Sequence, residues 1–447
     1  MSRGAPAAFS SPGGLEARDV AVSALFSVFV EKRAFDDVFA KAAATRHLEP
    51  RDRAFARLIA ATVLRHHGEL RAVIGHFLEK PLPAHQGRLE QILLAAAAQL
   101  LFLHTPPHAA ISLAVDQCRA DSSARRFDKL TNAVLRRVSE RGADIMTGLD
   151  AAQLNIPAWL MTRWETAYGE QAARSIALAS LTEAPLDLSV KSDPARWAEV
   201  LGGIVMPSGS VRLSGAGRIE DLEGYDQGAW WVQDTAAALP VKMLGDVAGK
   251  DVADLCAAPG GKTAQLAAAG ARVTAIDKSP GRLNRLKANL LRLGLSAGTF
   301  VADAAEFTPG RMFDAILVDA PCTATGTIRR HPDILILKRD EDVAALAVLQ
   351  SRVLASAAVA LRPGGVLVYC TCSLEPEEGR DQIARFLVAN PAFKHTPIDA
   401  SSIGADPSWV SPEGDLRTLP SHASELPEGM RGLDGFYAAK LTRIAEA

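Results

Sequence analysis

The chain has 447 residues, too many for one ordinary domain, so two or three are expected. With 48% hydrophobic and 22% charged residues and a formal net charge of -2, it has the composition of a globular protein, and a disordered or fibrous chain is excluded. The near-neutral total hides an asymmetry: residues 1–141 hold 20 Lys and Arg against 14 Asp and Glu, and the remainder holds 29 against 37, so a front module facing a polyanion and a merely solvated helical surface are both open.

Residues 1–14 (MSRGAPAAFSSPGG) are small and flexible, without the apolar core of a secretory leader, and read as a disordered tail. Five cysteines, Cys118, Cys256, Cys322, Cys370 and Cys372, make an odd count, which argues against a disulfide scaffold and for a reducing, cytoplasmic setting. No run of about 18 apolar residues is visible, so no membrane span is expected.

Residues 15–141 read as helices. Val20, Ala21, Ala24, Leu25, Val28 and Phe29 recur at i, i+3, i+4 spacing, as do Phe55, Leu58, Ile59, Thr62 and Val63 behind a helix start at Asp52. Ile92–Leu103 is almost wholly apolar, as in a helix at a bundle centre, and Pro106-Pro107 ends it. His108–Ala120 and Phe127–Val138 bring the bundle to five or more helices. The segments RDRAFARLIAATVLR (51–65), AISLAVDQCRA (110–120) and KLTNAVLRR (129–137) resemble the NusB-like RNA-binding fold, in which the bundle contacts RNA. Arg125, Arg126, Lys129, Arg136 and Arg137 would then lie on one helix and its lead-in, facing phosphate or only water.

Between 155 and 228 the pattern turns to short mixed elements. Trp159, Trp164 and Tyr168 share a helix and Asp187–Lys191 alternates as a strand, so a small α+β domain without visible chemistry is expected. From 229 to 447 strands and helices alternate. Strands are expected at 252–256, 273–277, 299–302, 315–319, 366–371 and 435–442, and helices at 263–269, 280–293, 344–361 and 377–388. That alternation implies a parallel sheet with helices on both faces. Ligands bind at the carboxyl ends of such strands, which gathers Asp254–Thr263, Asp277, Asp303, Asp319–Cys322 and Thr371-Cys372 along one edge.

The turn DLCAAPGGKT (254–263) is built of small residues that let a ligand approach the backbone. A phosphate-binding Walker loop would need glycine where Cys256 stands, and the G-x-G-x-x-G fingerprint is absent. What remains is an adenosine site without a phosphate cradle, formed by Cys256, Ala257, Ala258, Pro259, Gly260, Gly261 and Lys262. Asp277 stands where a carboxylate can accept both hydrogen bonds of a ribose diol, and Asp303 where one can meet an adenine amino group. Any one alone could be a cap or turn residue; three, Asp254, Asp277 and Asp303, in register at successive strand ends fit a bound ligand better. Cys322 follows a proline at a strand end, and Cys372 precedes an expected helix start at Ser373–Glu377. A helix N-terminus there would favour its thiolate, against the charges of Glu375, Glu377 and Glu378.

The segments CAAPGGKT, DAPCTATGTIRRHPD, YCTCSLEPEE and DGFYAAKL resemble the RNA 5-methylcytosine methyltransferases, and with the front half the chain is similar to their RsmB/Sun branch, which modifies a cytosine of small-subunit ribosomal RNA. The resemblance covers essentially the whole chain. It implies an all-α NusB-like bundle, a small α+β domain, and an α/β Rossmann-like class I methyltransferase domain over 229–447. It also implies S-adenosylmethionine as donor, no metal, and RNA rather than DNA or a membrane as partner. Cys372 would be the attacking thiolate, Cys322 would assist product release, and Asp319 would hold the cytosine edge or the donor. In DNA cytosine methyltransferases the proline-cysteine thiol attacks instead, so this division of roles is itself a prediction. Two positions depart from the family. Cys370 stands where alanine or serine is common and is expected to point to the opposite face of its strand, into the core; Ser189-Val190-Lys191 replaces a usual Arg-Val-Asn.

Three other readings compete. A transfer-RNA cytosine methyltransferase usually lacks a front bundle; a non-catalytic RNA-binding assembly factor would not need Cys322, Cys372, Asp277 and Asp319; a small-molecule methyltransferase needs neither two thiols nor a basic bundle. His66, His67 and His331 have no zinc-type spacing. No heptad or long apolar patch stands out, so a monomer is expected.

Overall fold

The computed structural model describes residues 12–444 except 84, 216 and 309. The chain divides into two compact units, one running up to Met161 and including His331–Lys338, the other formed by Thr162–Arg330 and the chain from Arg339 onward.

The first unit is helical: α1 (Pro12–Phe29), α2 (Phe35–Thr45), α3 (Pro50–Arg65), α4 (His67–His76), α5 (Leu89–Leu101), α6 (Pro107–Ala120), α7 (Asp128–Met146) and α8 (Ala151–Asn155). α5 is buried continuously from Gln91 to Gln99, and Val20, Leu25, Ile59, Val63, Val134 and Leu135 join its core. α1 begins inside the segment expected to be a tail; the rest of that segment lies outside the described residues. α2 and α4 are additions to the sequence reading. α2 has no side-chain cap of its own, and its Phe35 N–H donates to Asp333 Oδ2 at 2.9 Å. Asp333 lies in the His331–Lys338 stretch, where His331 Nδ1 also comes within 3.5 Å of Asp36. A carboxylate at a helix N-terminus meets unpaired amides and the positive end of the dipole, so part of the RRHPD motif serves the helical unit.

Within the second unit α9 (Ala158–Tyr168, which carries the chain over from the first) and α10 (Glu170–Ser180) precede a small antiparallel sheet. Its strands are β1 (Leu186–Val190), β2 (Ile204–Val205), β3 (Val211–Leu213) and β4 (Trp230–Val232), in the order β2-β3-β1-β4. α11 (Pro194–Leu201) covers it, closing a core of Leu188, Trp197, Val211 and Trp230.

The large sheet contains β5 (Asp251–Leu255), β6 (Arg272–Asp277), β7 (Gly298–Val301), β8 (Phe313–Asp319), β9 (Leu361–Thr371), β10 (Phe393–His395), β11 (Leu416–Thr418) and β12 (Phe436–Arg443). The order is β10-β12-β9-β8-β5-β6-β7, with β11 also paired to β12. From β9 to β7 every pairing is parallel. β12 runs antiparallel to β9, and β10 and β11 antiparallel to β12, so the sheet is mixed rather than parallel throughout. An antiparallel neighbour needs no helical crossover, and β12 follows β11 through loop alone. The helices of eight or more residues around it are α12 (Thr235–Met243), α13 (Gly261–Ala268), α14 (Pro280–Leu293), α15 (Asp340–Ala360) and α16 (Arg380–Ala389).

Period-two alternation feeds two cores. On β8, Ala315 and Leu317 join Val252, Val368 and Phe436 on one face, while Ile316 and Val318 join Leu255, Leu367 and Tyr369 on the other. α15, at 21 residues, is long and apolar enough to cross a membrane by length and composition, which the sequence reading missed. Its Val353, Leu354 and Ala357 are buried in the second of these cores, which accounts for that composition.

Candidate active site

Along the carboxyl edge of the sheet the chain changes from branched residues to small ones. After β5, Cys256 takes a left-handed backbone (φ 63°) and Gly260 another (φ 104°), and α13 starts at Gly261. A Cβ at Gly260 would stand 2.7 Å from Leu286 Cγ on α14, so both the conformation and the packing require glycine. Ala257 N–H donates to Ile276 O at 2.9 Å, tying the loop to β6. Ala257 and Ala258 are buried and Pro259 is exposed.

Asp277 closes β6 and is 2% exposed. Its Oδ2 accepts the Ala258 N–H at 3.2 Å, its Oδ1 accepts the Ser279 N–H at 2.9 Å, and Arg282 lies 3.4 Å away. The carboxylate therefore holds the glycine loop and the start of α14 together, and each oxygen keeps a second lone pair. Asp303, beyond β7, is exposed and its Oδ1 accepts the Ala305 N–H at 2.9 Å, the geometry of a turn cap. Burial, with Asp319 and Asp277 nearby, pushes the Cys256 thiol up to about 12, so it lines the loop as a neutral group.

Lys262 is buried, donates to Asp319 Oδ2 at 2.8 Å and lies 4.8 Å from the centre of the Phe436 ring. Burial disfavours its charge, but Asp319, together with Cys370 and Cys372, outweighs that and holds the ammonium above its ordinary range. Asp319, at the end of β8, keeps a third of its side chain open. Its Oδ1 lies 3.6 Å from Cys370 Sγ. Cys370 is core, as expected, but it does not point away from Cys372. The two are two residues apart, Cys370 on β9 and Cys372 just past its end, and they pack in one cluster.

Cys322 Sγ and Cys372 Sγ stand 3.5 Å apart, each just past the end of one of the adjacent parallel strands β8 and β9. Both are partly buried. Two thiols this close titrate as a pair. With Cys322 as the donor, the hydrogen bond lowers the Cys372 thiol; burial and Asp319 oppose this, and Lys262 and Arg330 support it. The same bond, burial, and the charges of Cys372 and Glu378 hold the Cys322 thiol well above its usual range. Arg330 is itself paired to Asp434 (Nε to Oδ1, 3.2 Å). The expected helix N-terminus behind Cys372 is absent: a short 3-10 turn, Pro376–Glu378, follows, and α16 starts only at Arg380. The thiolate is favoured by its neighbours' side chains, not by a helix dipole.

Sequence reasoning missed the frame behind the sulfurs. Gly326 N–H donates to Cys372 O at 3.0 Å and Leu374 N–H to Thr325 Oγ1 at 3.0 Å, stitching one cysteine loop to the other. Glu378, Thr323, Ser373 and Gln350 form a buried hydrogen-bonded group beneath them. The available signal was a hydroxyl residue directly after each cysteine, Thr323 and Ser373. A cavity of about 890 Å³ opens at the far ends of β6 and β7, beside Arg272, Phe300 and Arg311, and belongs to none of this chemistry.

The chain is similar to known proteins over most of its length. The family described as "16S rRNA methyltransferase RsmB/F" matches residues 241–442, and the NusB family matches residues 15–140. The Ribosomal RNA small subunit methyltransferase B of Vibrio cholerae is 35% identical over 447 aligned positions, covering 96% of this chain and 98% of that one. Among solved structures, a methyltransferase homologue from Pyrococcus horikoshii is 26% identical with a TM-score of 0.53, covering 67% of this chain and 97% of that one. NSun6 from the same organism shares the fold at 20% identity and a TM-score of 0.55, over 65% of this chain and 99% of that one. The chain thus belongs to the RsmB/F family of 16S rRNA methyltransferases, joined to a NusB-family domain, and is an S-adenosylmethionine-dependent rRNA methyltransferase.

Proposed function

We propose that the protein methylates carbon 5 of one cytosine in small-subunit ribosomal RNA through a covalent bond between Cys372 and C6. The observation that carries this reading is the 3.5 Å sulfur pair beside the Lys262–Asp319 pair. The small-residue turn 256–262 fits the donor: Asp277, Asp303 and Asp319 stand at successive strand ends, where carboxylates suit a ribose, an adenine amino group and a cationic sulfur. The donor supplies an electrophilic methyl group.

Cytosine C5 is too weak a nucleophile on its own. The Cys372 thiolate adds to C6, the electron pair moves towards N3, and C5 becomes able to attack the methyl carbon. Asp319 accepts a hydrogen bond from the amino group at that base edge, and the Lys262 ammonium paired with it offsets the charge that gathers at N3. Bond formation removes the negative charge from Cys372, and with it two of the causes that keep Cys322 protonated. Cys322 then gives its proton to solvent and takes the C5 proton. The C6–S bond breaks and its electron pair returns to Cys372, restoring the starting state with one proton released. The base must leave its stack to reach the pair, at a cost of a few kcal/mol. A basic bundle over 15–141 that grips RNA, with the small sheet of 155–228 as a second contact, would offset that cost. Five free thiols fit a cytoplasmic enzyme, and it would work as a monomer on RNA rather than DNA.

Replacing each cysteine tests the roles. Cys372→Ala should abolish both turnover and any denaturant-stable RNA adduct. Cys322→Ala should form the adduct and fail to release it, seen as a slowly migrating protein band that ribonuclease removes. The reverse pattern would make Cys322 the nucleophile.

A further inference from the structure

Glu378 has no assigned part in the chemistry, yet it is fully buried one residue behind each thiol. Its Oε1 accepts the Thr323 N–H at 3.0 Å and the Gln350 amide at 3.0 Å. Its Oε2 accepts the Thr323 hydroxyl at 2.5 Å and the Ser373 hydroxyl at 2.5 Å. Thr323 follows Cys322, and Ser373 follows Cys372. Gln350, on α15, also donates to Pro321 O at 2.9 Å, on the other side of Cys322. Every partner is a donor, the arrangement an ionised carboxylate requires rather than an amide. Among the described residues no cation is paired with it: burial raises its pKa, and the aligned donors of Ser373, Thr323 and Gln350 oppose that and hold the charge.

We propose that Glu378 is a positioning residue for the cysteine pair: a buried anion that clamps both cysteine loops and keeps the shared proton on Cys322. The inference rests on the roles given above to the two thiols. The field across the pair is uneven. Glu378 acts on Cys322, while on Cys372 the anion Asp319 is opposed by the cations Lys262 and Arg330. Of two sulfurs in one hydrogen bond, the one beside the anion keeps the proton and the one beside the cations loses it. The same anion makes Cys322 the stronger base when it must take the C5 proton. The other titratable groups facing Glu378 are Tyr369 of β9, whose hydroxyl donates to the Glu378 carbonyl at 2.8 Å, and Glu375 on the same turn.

The test is Glu378→Gln in the full-length protein, with Cys322→Ala alongside. Brief treatment with iodoacetamide, followed by peptide mass spectrometry, reads which sulfur is the thiolate. Native protein should be alkylated mainly at Cys372. In Glu378→Gln the ratio of Cys372 to Cys322 labelling should fall about tenfold, the effect of one pKa unit. Turnover should fall by a similar factor, with KM for S-adenosylmethionine unchanged and the fraction of enzyme trapped on RNA increased. Thr323→Val, which removes one donor and spares the carboxylate, should move the ratio the same way by less, and serves if the first variant does not fold. An unchanged labelling ratio overturns the proposal, whether turnover is normal or lost, since a purely structural role would cut activity without redistributing the proton. If Cys322→Ala traps no RNA, the role assignment fails, and the labelling ratio still decides the matter of Glu378.

Discussion

Asp254 is wholly buried near the end of β5, accepts one hydrogen bond from Thr263 Oγ1 at 2.5 Å, and its Oδ1 has no partner among the described residues. Burial, which the Thr263 bond only partly offsets, raises its pKa from 3.8 to about 7. The native state therefore binds this proton more tightly than the unfolded chain does. Its contribution to stability is greatest below about pH 4, is lost as pH rises towards 7, and is constant above that. Asp254→Asn keeps the size and the acceptor for Thr263 and removes the charge. Between pH 5 and pH 8 the variant should gain about 3 kcal/mol relative to the native protein, read by urea unfolding at the two values. Parallel pH profiles would contradict this. Side chains that carry chemistry at strand ends were legible in the sequence because their types are rare there: Cys322, Cys372, Lys262 and Asp319 all converge. Asp277 and Asp303 were legible as positions but not in their bonding, since a backbone amide three-dimensionally close to a carboxylate leaves no mark in the sequence. Glu378 was read only as a charge near a thiol, because its partners come from three separate segments.

Elements with strong local punctuation were readable to the residue. α14 runs from Pro280 to Leu293 as expected, with Ser279 Oγ accepting the Arg282 N–H, proline at its first position, and Gly294 in the left-handed region after it. α12 escaped notice because Pro240 lies inside it, and β10 and β11 because three residues give too short an alternation. The loops carrying the sulfurs are set by close backbone contact that no periodicity encodes. At Gly326 a Cβ would fall 1.9 Å from Gly435 O, and a hydrogen bond ties the two glycines, Gly435 N–H donating to Gly326 O at 2.8 Å. Gly326→Ala must push the Cys322 loop away from the start of β12. It should cost roughly 1–3 kcal/mol of stability and reduce turnover more than donor binding. Thermal unfolding with paired kinetic and binding measurements checks this; an alanine variant with native turnover would show that the contact does not set the sulfur geometry.

At the scale of the whole molecule, composition separated a basic front from an acidic remainder, and the two periodicities separated a helical unit from a sheet-bearing one. The division of the HPDI stretch was not visible, because residues 331–338 lie in the middle of the catalytic sequence and belong by contact to the helical unit. Nor was the mixed character of the sheet, since β12 alternates like any other strand and only its pairing with β9 reveals its direction. The architecture brings two thiols, a lysine–aspartate pair and a glycine-lined turn to one edge of one sheet, the edge proposed to transfer a methyl group to C5 of cytosine. The most direct measurement uses S-adenosylmethionine labelled in its methyl group, unmethylated small-subunit ribosomal RNA, and digestion of the product to nucleosides. The account predicts label in 5-methylcytidine with native protein and none with Cys372→Ala. Label in any other nucleoside, or undiminished labelling with Cys372→Ala, would contradict it.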